Sequence, residues 1–261
     1  MNVAAQLYTV REFTQTPQGI AETLRKVSQI GYRTVHCSKM GPIDPYQLRD
    51  LLQENNLSCV VTHIDPERLL TEVDRVIEEH RIYHCDSVGM SIMPERYRGS
   101  YEGLMAMVRD FTPAVERILD SGLTFHYHNH DVEFIRYQKR SLLEHLLDAM
   151  PQANLLVCCY WVQVGGGDPI ALLKRYQGRV RHVHLKDMAC RAGVKQTGEG
   201  RIMTPVFEGN MNYAGIIDCC EQTGVENIIV EQDRCNGIDP FECLAISYRN
   251  IQEYLQKRNR P

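Results

Sequence analysis

Short β-type runs alternate with longer amphipathic stretches from one end of the chain to the other. Strand candidates fall at 3–9 (VAAQLYT), 33–37 (RTVHC), 57–61 (LSCVV), 86–90 (DSVGM), 123–128 (LTFHYH), 155–159 (LLVCC), 180–184 (VRHVH) and 227–231 (NIIVE). An amphipathic stretch follows each of them, which is the signature of a parallel α/β fold rather than of segregated layers. The helix starts repeat one local signal. Thr16-Pro17, Asp44-Pro45, Asp65-Pro66, Asp168-Pro169 and Asp239-Pro240 each set a capping oxygen before a proline whose missing N–H costs nothing at the first helical position. In the first helix Ile20, Leu24, Val27 and Ile30 recur at helical spacing, Glu22, Arg25 and Lys26 form the solvent face, and Gly31 stops it. Eight βα units in 261 residues predict a single (β/α)8 barrel domain spanning 1–261. A doubly wound sheet needs fewer strands and a glycine-rich phosphate turn after its first strand, and no such turn is present.

Composition narrows the function classes. A formal net charge of −4, with no long run of Lys or Arg, argues against a nucleic-acid groove. The N-terminus MNVAAQLYTVREF lacks a basic segment followed by a long apolar one, and no stretch approaches the roughly 20 apolar residues of a membrane span. The expectation is a soluble, cytoplasmic protein. Its ten cysteines are scattered through apolar segments of a large chain, so reduced, buried thiols are expected, Cys219 and Cys220 in a helix among them.

In a barrel of this kind the chemistry sits at the C-terminal ends of the strands. Those ends are polar here. Strand one leads to Gln6 and Tyr8, and strand three runs into His63. Strand five ends in His126, His128, Asn129 and His130, strand seven in His182, His184, Lys186 and Asp187, and strand eight in Glu231, Gln232, Asp233 and Arg234. Alternation puts His126, His128 and His130 on one face, and His182, His184 and Lys186 on one face of their own strand. A lone histidine at a strand end is usually a hydrogen-bonded core residue. Several converging on one mouth are better explained by a shared divalent metal, because unpaired buried charge is expensive. The glycine-rich VGGGDP at 164–169 follows strand six and reads as a strand-to-helix loop, with anion binding a minor option. Strand six reads NLLVCCYW over 154–161, and adjacent strand residues face opposite ways, so Cys158 and Cys159 cannot form a working pair.

The chain resembles the sugar phosphate isomerase/epimerase family of the xylose isomerase-like barrel superfamily, relatives of inosose dehydratase and isomerase proteins. The resemblance covers nearly the whole chain. It is carried by GPIDPYQLRDLL (41–52), THI (62–64), MPERYRGSYEGL (93–104), FHYHNHDVEF (125–134), YWVQVGGGDP (160–169), VHLKDM (183–188), EGNMNY (208–213) and IVEQDRCNGIDPFECLAISYRN (229–250). It implies a divalent cation, manganese, magnesium or zinc, held by one residue from each of strands five to eight. Carried over by position, the metal ligands are His128, with His130 the alternative, then Cys158, His184 and Glu231. Where relatives have the strand-six aspartate this chain has Cys158, and Leu156 stands for a neighbouring glutamate. A thiolate at Cys158 favours zinc, whereas a neutral thiol weakens the site.

The chemistry implied is proton transfer next to the carbonyl of a sugar or polyol, giving isomerisation or epimerisation through an enediolate. Glu231 is then metal ligand and base, with His128 or His63 as proton partner. Lys186 steadies developing negative charge, and His63, His130, Gln163, Glu208, Asn210 and Arg234 contact substrate. Lys186 and Arg234 also read as solvated rim charges. Two alternatives stay open: a related lyase (a dehydratase, or cleavage of a glycosidic bond in a keto-sugar), and a catalytically degenerate carbohydrate-binding barrel, favoured by the loss of the strand-six carboxylate. Endonuclease action, known in the same superfamily, is disfavoured by the acidic balance. A homodimer is a family expectation.

Overall fold

The Thr/Asp-Pro pairs open helices as expected. Thr16 accepts from the amide of Gly19, Asp44 from Tyr46 and Gln47, Asp65 from Glu67, Asp168 from Ile170 and Ala171, and Asp239 from Phe241 and Glu242. The computed structural model describes residues 1–191 and 200–258. Eight parallel strands close into a barrel: β1 (Asn2–Gln6), β2 (Thr34–Ser38), β3 (Ser58–Ile64), β4 (Ser87–Met90), β5 (Thr124–His128), β6 (Asn154–Cys158), β7 (His182–Leu185) and β8 (Asn227–Val230). Each is hydrogen-bonded to its sequence neighbours, and β8 closes onto β1. The helices surround it: α1 (Pro17–Ile30), α2 (Pro45–Glu54), α3 (Pro66–Thr71), α4 (Val73–Ile82), α5 (Tyr101–Asp120), α6 (Leu142–Ala149), α7 (Cys159–Val164), α8 (Pro169–Arg175), α9 (Tyr213–Gln222) and α10 (Pro240–Arg258). Among the described residues no helix is long and apolar enough to cross a membrane.

All eight strand candidates are barrel strands, with shifted ends. Strand one stops at Gln6, because the Gln6 side chain accepts from the amide of Tyr8 and Leu7–Phe13 winds into a 3-10 turn. Tyr8 therefore leaves the strand and lies against Arg11, whose guanidinium carbon is 4.2 Å from its ring centroid. Strand six stops at Cys158, and Cys159 begins α7. The helices bury their predicted faces. In α1 Ile20, Leu24 and Val27 are inaccessible to solvent, each side chain stabilising the fold by about 1.5–3 kcal/mol. Gly31 ends that helix at φ +125°, a backbone conformation that L side chains rarely adopt.

The barrel interior is layered. Ala4, Val61, Leu156 and Ile229 form a small apolar cluster separate from the main core between sheet and helices. At the N-terminal end of the strands, polar side chains pair with one another, leaving Nδ1 of His126 without a partner. His126 pairs with Thr124 at 2.9 Å, His182 with Ser87 at 3.1 Å and with Asn227 at 3.1 Å, and Asn227 with Asn2 at 3.0 Å. Arg181 closes this end, donating to both carboxylate oxygens of Glu226 at 2.8 and 2.9 Å and to Asp86 at 3.0 Å. Arg181 holds the Glu226 carboxyl below its usual value. At Asp86 burial pushes upward, but the Ser87 hydroxyl and Arg181 outweigh it and the net shift is downward.

Both carboxylates therefore favour the folded state when ionised, a contribution present above about pH 4 and lost as acid protonates them. Arg181→Met is expected to lower stability by about 1–2 kcal/mol at neutral pH. Urea unfolding across a pH series checks this, and the gap from the unsubstituted protein is expected to shrink as the pH falls below that value.

Candidate active site at the barrel mouth

Alternation along the strands carries a second polar layer to the opposite end. His36 on β2, His63 on β3, His128 on β5 and His184 on β7 form a closed ring of imidazoles. Their centroids are 4.2 Å apart for His36–His63, 4.8 Å for His63–His128, 4.7 Å for His128–His184 and 5.0 Å for His184–His36. Cys158 joins them from β6, paired in register with His184. Its sulfur, one nitrogen of His128 and one of His184 lie within 4.8 Å of one another. Just past β7 and β8 stand Lys186, Glu231 and Asp233. The Lys186 ammonium is 3.1 Å from Glu231 Oε2 and 2.9 Å from Asp233 Oδ1, and 5.6 Å from the centre of the Trp161 ring. A cavity of about 530 Å3 opens beside His63, lined also by Ser38, Thr62, Asp65 and Arg68. That volume is within the range of small-molecule sites.

Burial sets the protonation states. His36, His63, His128 and His184 are all held well below the usual imidazole value by desolvation, with neighbouring rings and Lys186 adding to it, so they are neutral at pH 7. His130 is lowered to about 3 for the same first reason. Burial pushes Lys186 downward, but Glu231 and Asp233 reverse the sign and keep it charged. The Cys158 thiol is pushed up to about 12, chiefly by desolvation. Many donor atoms are left over. His36 Nε2, His63 Nε2, His128 Nε2 and His184 Nδ1 are buried without a hydrogen-bond partner, and Glu231 Oε2 has its ion pair with Lys186 but no aligned hydrogen bond. His184 Nδ1 and Glu231 Oε2 stand 2.9 Å apart without hydrogen-bond alignment. Lone pairs that converge without pairing to one another are the arrangement two ligands adopt toward a common cation. The set of imidazole nitrogens, one sulfur and one carboxylate fits a divalent transition metal.

Supporting residues fix this arrangement. Asn129 Oδ1 accepts from the backbone N–H of Cys158 at 2.9 Å, tying the end of β5 to the end of β6. Buried Glu133 accepts from the Tyr127 hydroxyl at 2.6 Å and from the His130 amide at 2.7 Å, which gives the HNHDVEF stretch its turn. Asp187, buried beyond β7, accepts from the amides of Met188, Phe207, Gly209 and Met211. It organises the 205–211 loop and does not face the imidazoles with its oxygens free.

The sequence-predicted residues divide into two groups. His63, His128, Cys158, His184, Lys186 and Glu231 come together at the mouth, and His130 lies edge-on to His128 with ring centroids 4.7 Å apart. Lys186 is buried, so the reading of it as a solvated rim charge is wrong. Arg234 is exposed, and its carbonyl accepts from Gln232 and Asn236. Gln163 is exposed on α7. Glu208 accepts from Asn250 on α10, and Asn210 accepts from the Cys190 amide, so both side chains are engaged in loop contacts. The 164–169 loop owes its outer glycines to packing, since a Cβ at Gly165 would meet the Phe134 ring at 2.5 Å and one at Gly167 at 2.8 Å, and Gly166 to its φ of +81°. His36 and Trp161 were not anticipated. The signal for His36 was present, since it is the one imidazole in the strand-two candidate.

A family model described as xylose isomerase-like TIM barrel matches residues 24–240. Among solved structures, the chain is similar to a sugar phosphate isomerase/epimerase from Parabacteroides distasonis, with TM-score 0.78, 17% identity, and 97% and 98% of the two chains covered. It is also similar to a D-allulose 3-epimerase from a Methylomonas species (TM-score 0.71, 12% identity, 97% and 98% covered). A probable 3-DHS dehydratase from Bacillus anthracis is a third such structure (TM-score 0.72, 13% identity, 97% and 99% covered). No curated protein matches the chain in sequence.

Replacing Lys186 by Met leaves Glu231 and Asp233 facing each other without their shared cation. The expected cost is about 3 kcal/mol, read by denaturant unfolding at neutral pH in the presence of a chelator. A loss under about 1 kcal/mol would mean that water or another group already screens the two carboxylates.

Proposed function

Because the chain belongs to the xylose isomerase-like TIM barrel family, we propose that it is a metal-dependent enzyme that moves a proton at a carbon next to the carbonyl of a sugar or polyol, as an isomerase or epimerase. The observation that carries this reading is the mouth itself, where neutral imidazoles present unpartnered nitrogens beside a carboxylate, a thiol and a buried ammonium. His128, Cys158, His184 and Glu231 are the residues that would hold the cation. When bound, it supplies Lewis acidity to the carbonyl and the adjacent hydroxyl oxygen of the substrate.

The remaining steps belong to the chain's own groups. Glu231 accepts the proton from carbon, and its contact with Lys186 keeps it aimed. Lys186, fixed by Asp233 on its other side, donates to the oxygen on which negative charge develops. His63, neutral and without a partner at Nε2, would accept that proton from Glu231 and deliver it to its final carbon or oxygen, which returns both groups to their starting states. His130 and Trp161 carry unpartnered ring nitrogens at the same mouth and suit sugar hydroxyls, with exposed Gln163 and Arg234 farther out. The chemistry of Cys158 points to zinc or another thiophilic ion rather than magnesium. A lyase is the second reading, because dehydration begins with the same proton abstraction and one similar structure is a probable dehydratase.

Metal content of the purified protein, together with isomerisation and epimerisation assays on keto-sugars and inosose, tests the proposal. Bound metal and turnover are expected, with Glu231→Gln lowering kcat by about a hundredfold or more. Absence of both under manganese, magnesium, zinc and cobalt supplementation would leave a carbohydrate-binding barrel. Cys158→Asp is expected to shift the preferred ion from zinc toward magnesium and manganese, measured by competitive metal titration.

A further inference from the structure

The imidazole ring at the mouth contains more donors than the site on β5 to β8 uses. His36 and His63 lie on β2 and β3, and His36 meets the nitrogen of His184 opposite the one that faces Glu231. One ring nitrogen from each of His36, His63 and His184 falls within 4.8 Å of the other two. His184 directs Nε2 toward His36 Nδ1 at 3.0 Å, while its Nδ1 faces Glu231. His63 is oriented by Ser38, whose hydroxyl lies 3.4 Å from Nδ1, and its Nε2 is buried with no partner. The Nε2 of His36 is likewise buried and unpartnered, on a residue with no solvent exposure. His36 and His63 are thus each held through Nδ1 with Nε2 left free, as metal-ligating histidines commonly are, and His184 would offer the Nε2 that now faces His36 Nδ1.

We propose that His36, His63 and His184 form a cation site of their own, an all-imidazole site that needs neither Cys158 nor Glu231. Three neutral nitrogen donors select zinc, cobalt, nickel or copper over magnesium and calcium, and one of them, His63, also lines the cavity. The bulge between Val35 and His36 in the β2–β3 ladder sets the register. It pairs His36 with Val61, two residues before His63, so both rings enter the barrel and meet with centroids 4.2 Å apart. The site does not depend on the carbonyl chemistry proposed above, nor on the β5 to β8 ligands other than His184.

Cobalt(II) titration of the full chain separates the two sites, because a cysteine ligand adds a near-ultraviolet sulfur-to-cobalt band that imidazoles do not. In a Cys158→Ala/Glu231→Gln variant, one equivalent of cobalt is expected to remain, with visible absorption and no sulfur band. Adding His36→Ala or His63→Ala is expected to abolish that equivalent, with His36→Asn and His63→Asn as milder replacements and circular dichroism confirming that each variant is folded. A folded double variant that binds no cobalt would overturn the proposal, as would binding that is indifferent to His36 and His63. A sulfur band present in the unsubstituted protein and lost in Cys158→Ala supports the β5 to β8 site separately, and its absence counts against that site alone.

Discussion

Closing eight parallel strands into a barrel forces every second side chain into a space that water scarcely enters, and the rest of the mouth follows from this constraint. A polar group carried there by alternation must be paired, neutralised or bound. The N-terminal end mostly takes the first course, since His126, His182, Ser87, Thr124 and Asn227 bond to one another, with Nδ1 of His126 left over, and Arg181 meets two carboxylates. The C-terminal end does not. Its imidazoles meet edge-on or tilted, lose their protons to desolvation, and keep nitrogens with nothing to donate to or accept from. Leaving several buried polar atoms unpaired costs about 1–3 kcal/mol each, which a fold tolerates where a ligand completes them.

Charge balance points the same way. One buried ammonium lies between Glu231 and Asp233, so with both carboxylates ionised the cluster has a negative charge in excess. Burial and Glu231 push the Asp233 carboxyl upward, which is the cost of that excess expressed as proton affinity. Neutral imidazoles do not relieve it. A divalent cation among them would, and in a low-dielectric surrounding its effect on an adjacent carbonyl is larger than in water.

Much of this was legible in the sequence because its signals are local. A capping oxygen before proline needs no tertiary partner, so five helix starts could be placed by inspection, and alternation assigned His128 and His184 to the inside of the barrel. What escaped depends on distant partners. His36 sits alone in an apolar strand and reads as a core residue until the bulge against β3 brings it beside His63. Glu208 and Asn210 look free in a polar loop, but Asn250, 42 residues away, and the Cys190 amide engage them. Lys186 looked like a rim charge because the carboxylates that bury it lie on the next strand's extension.

The adjacent cysteines after β6 separate into two environments, and only one bears on chemistry. Cys159 starts α7 and packs in the layer under the helices, with Cys219 and Cys220 of α9 as its neighbours. Cys158 faces the imidazoles, its amide fixed by Asn129. An aspartate in its place would add a third carboxylate to a cluster with one ammonium. The thiol avoids that charge, because burial keeps it protonated when no cation is near. The same burial makes the proton a competitor for any ion that binds, so an ion that holds sulfur strongly can displace it and a hard ion cannot. Cysteine at this position thus lowers the strain of the barrel without a cation and narrows which cations the barrel accepts.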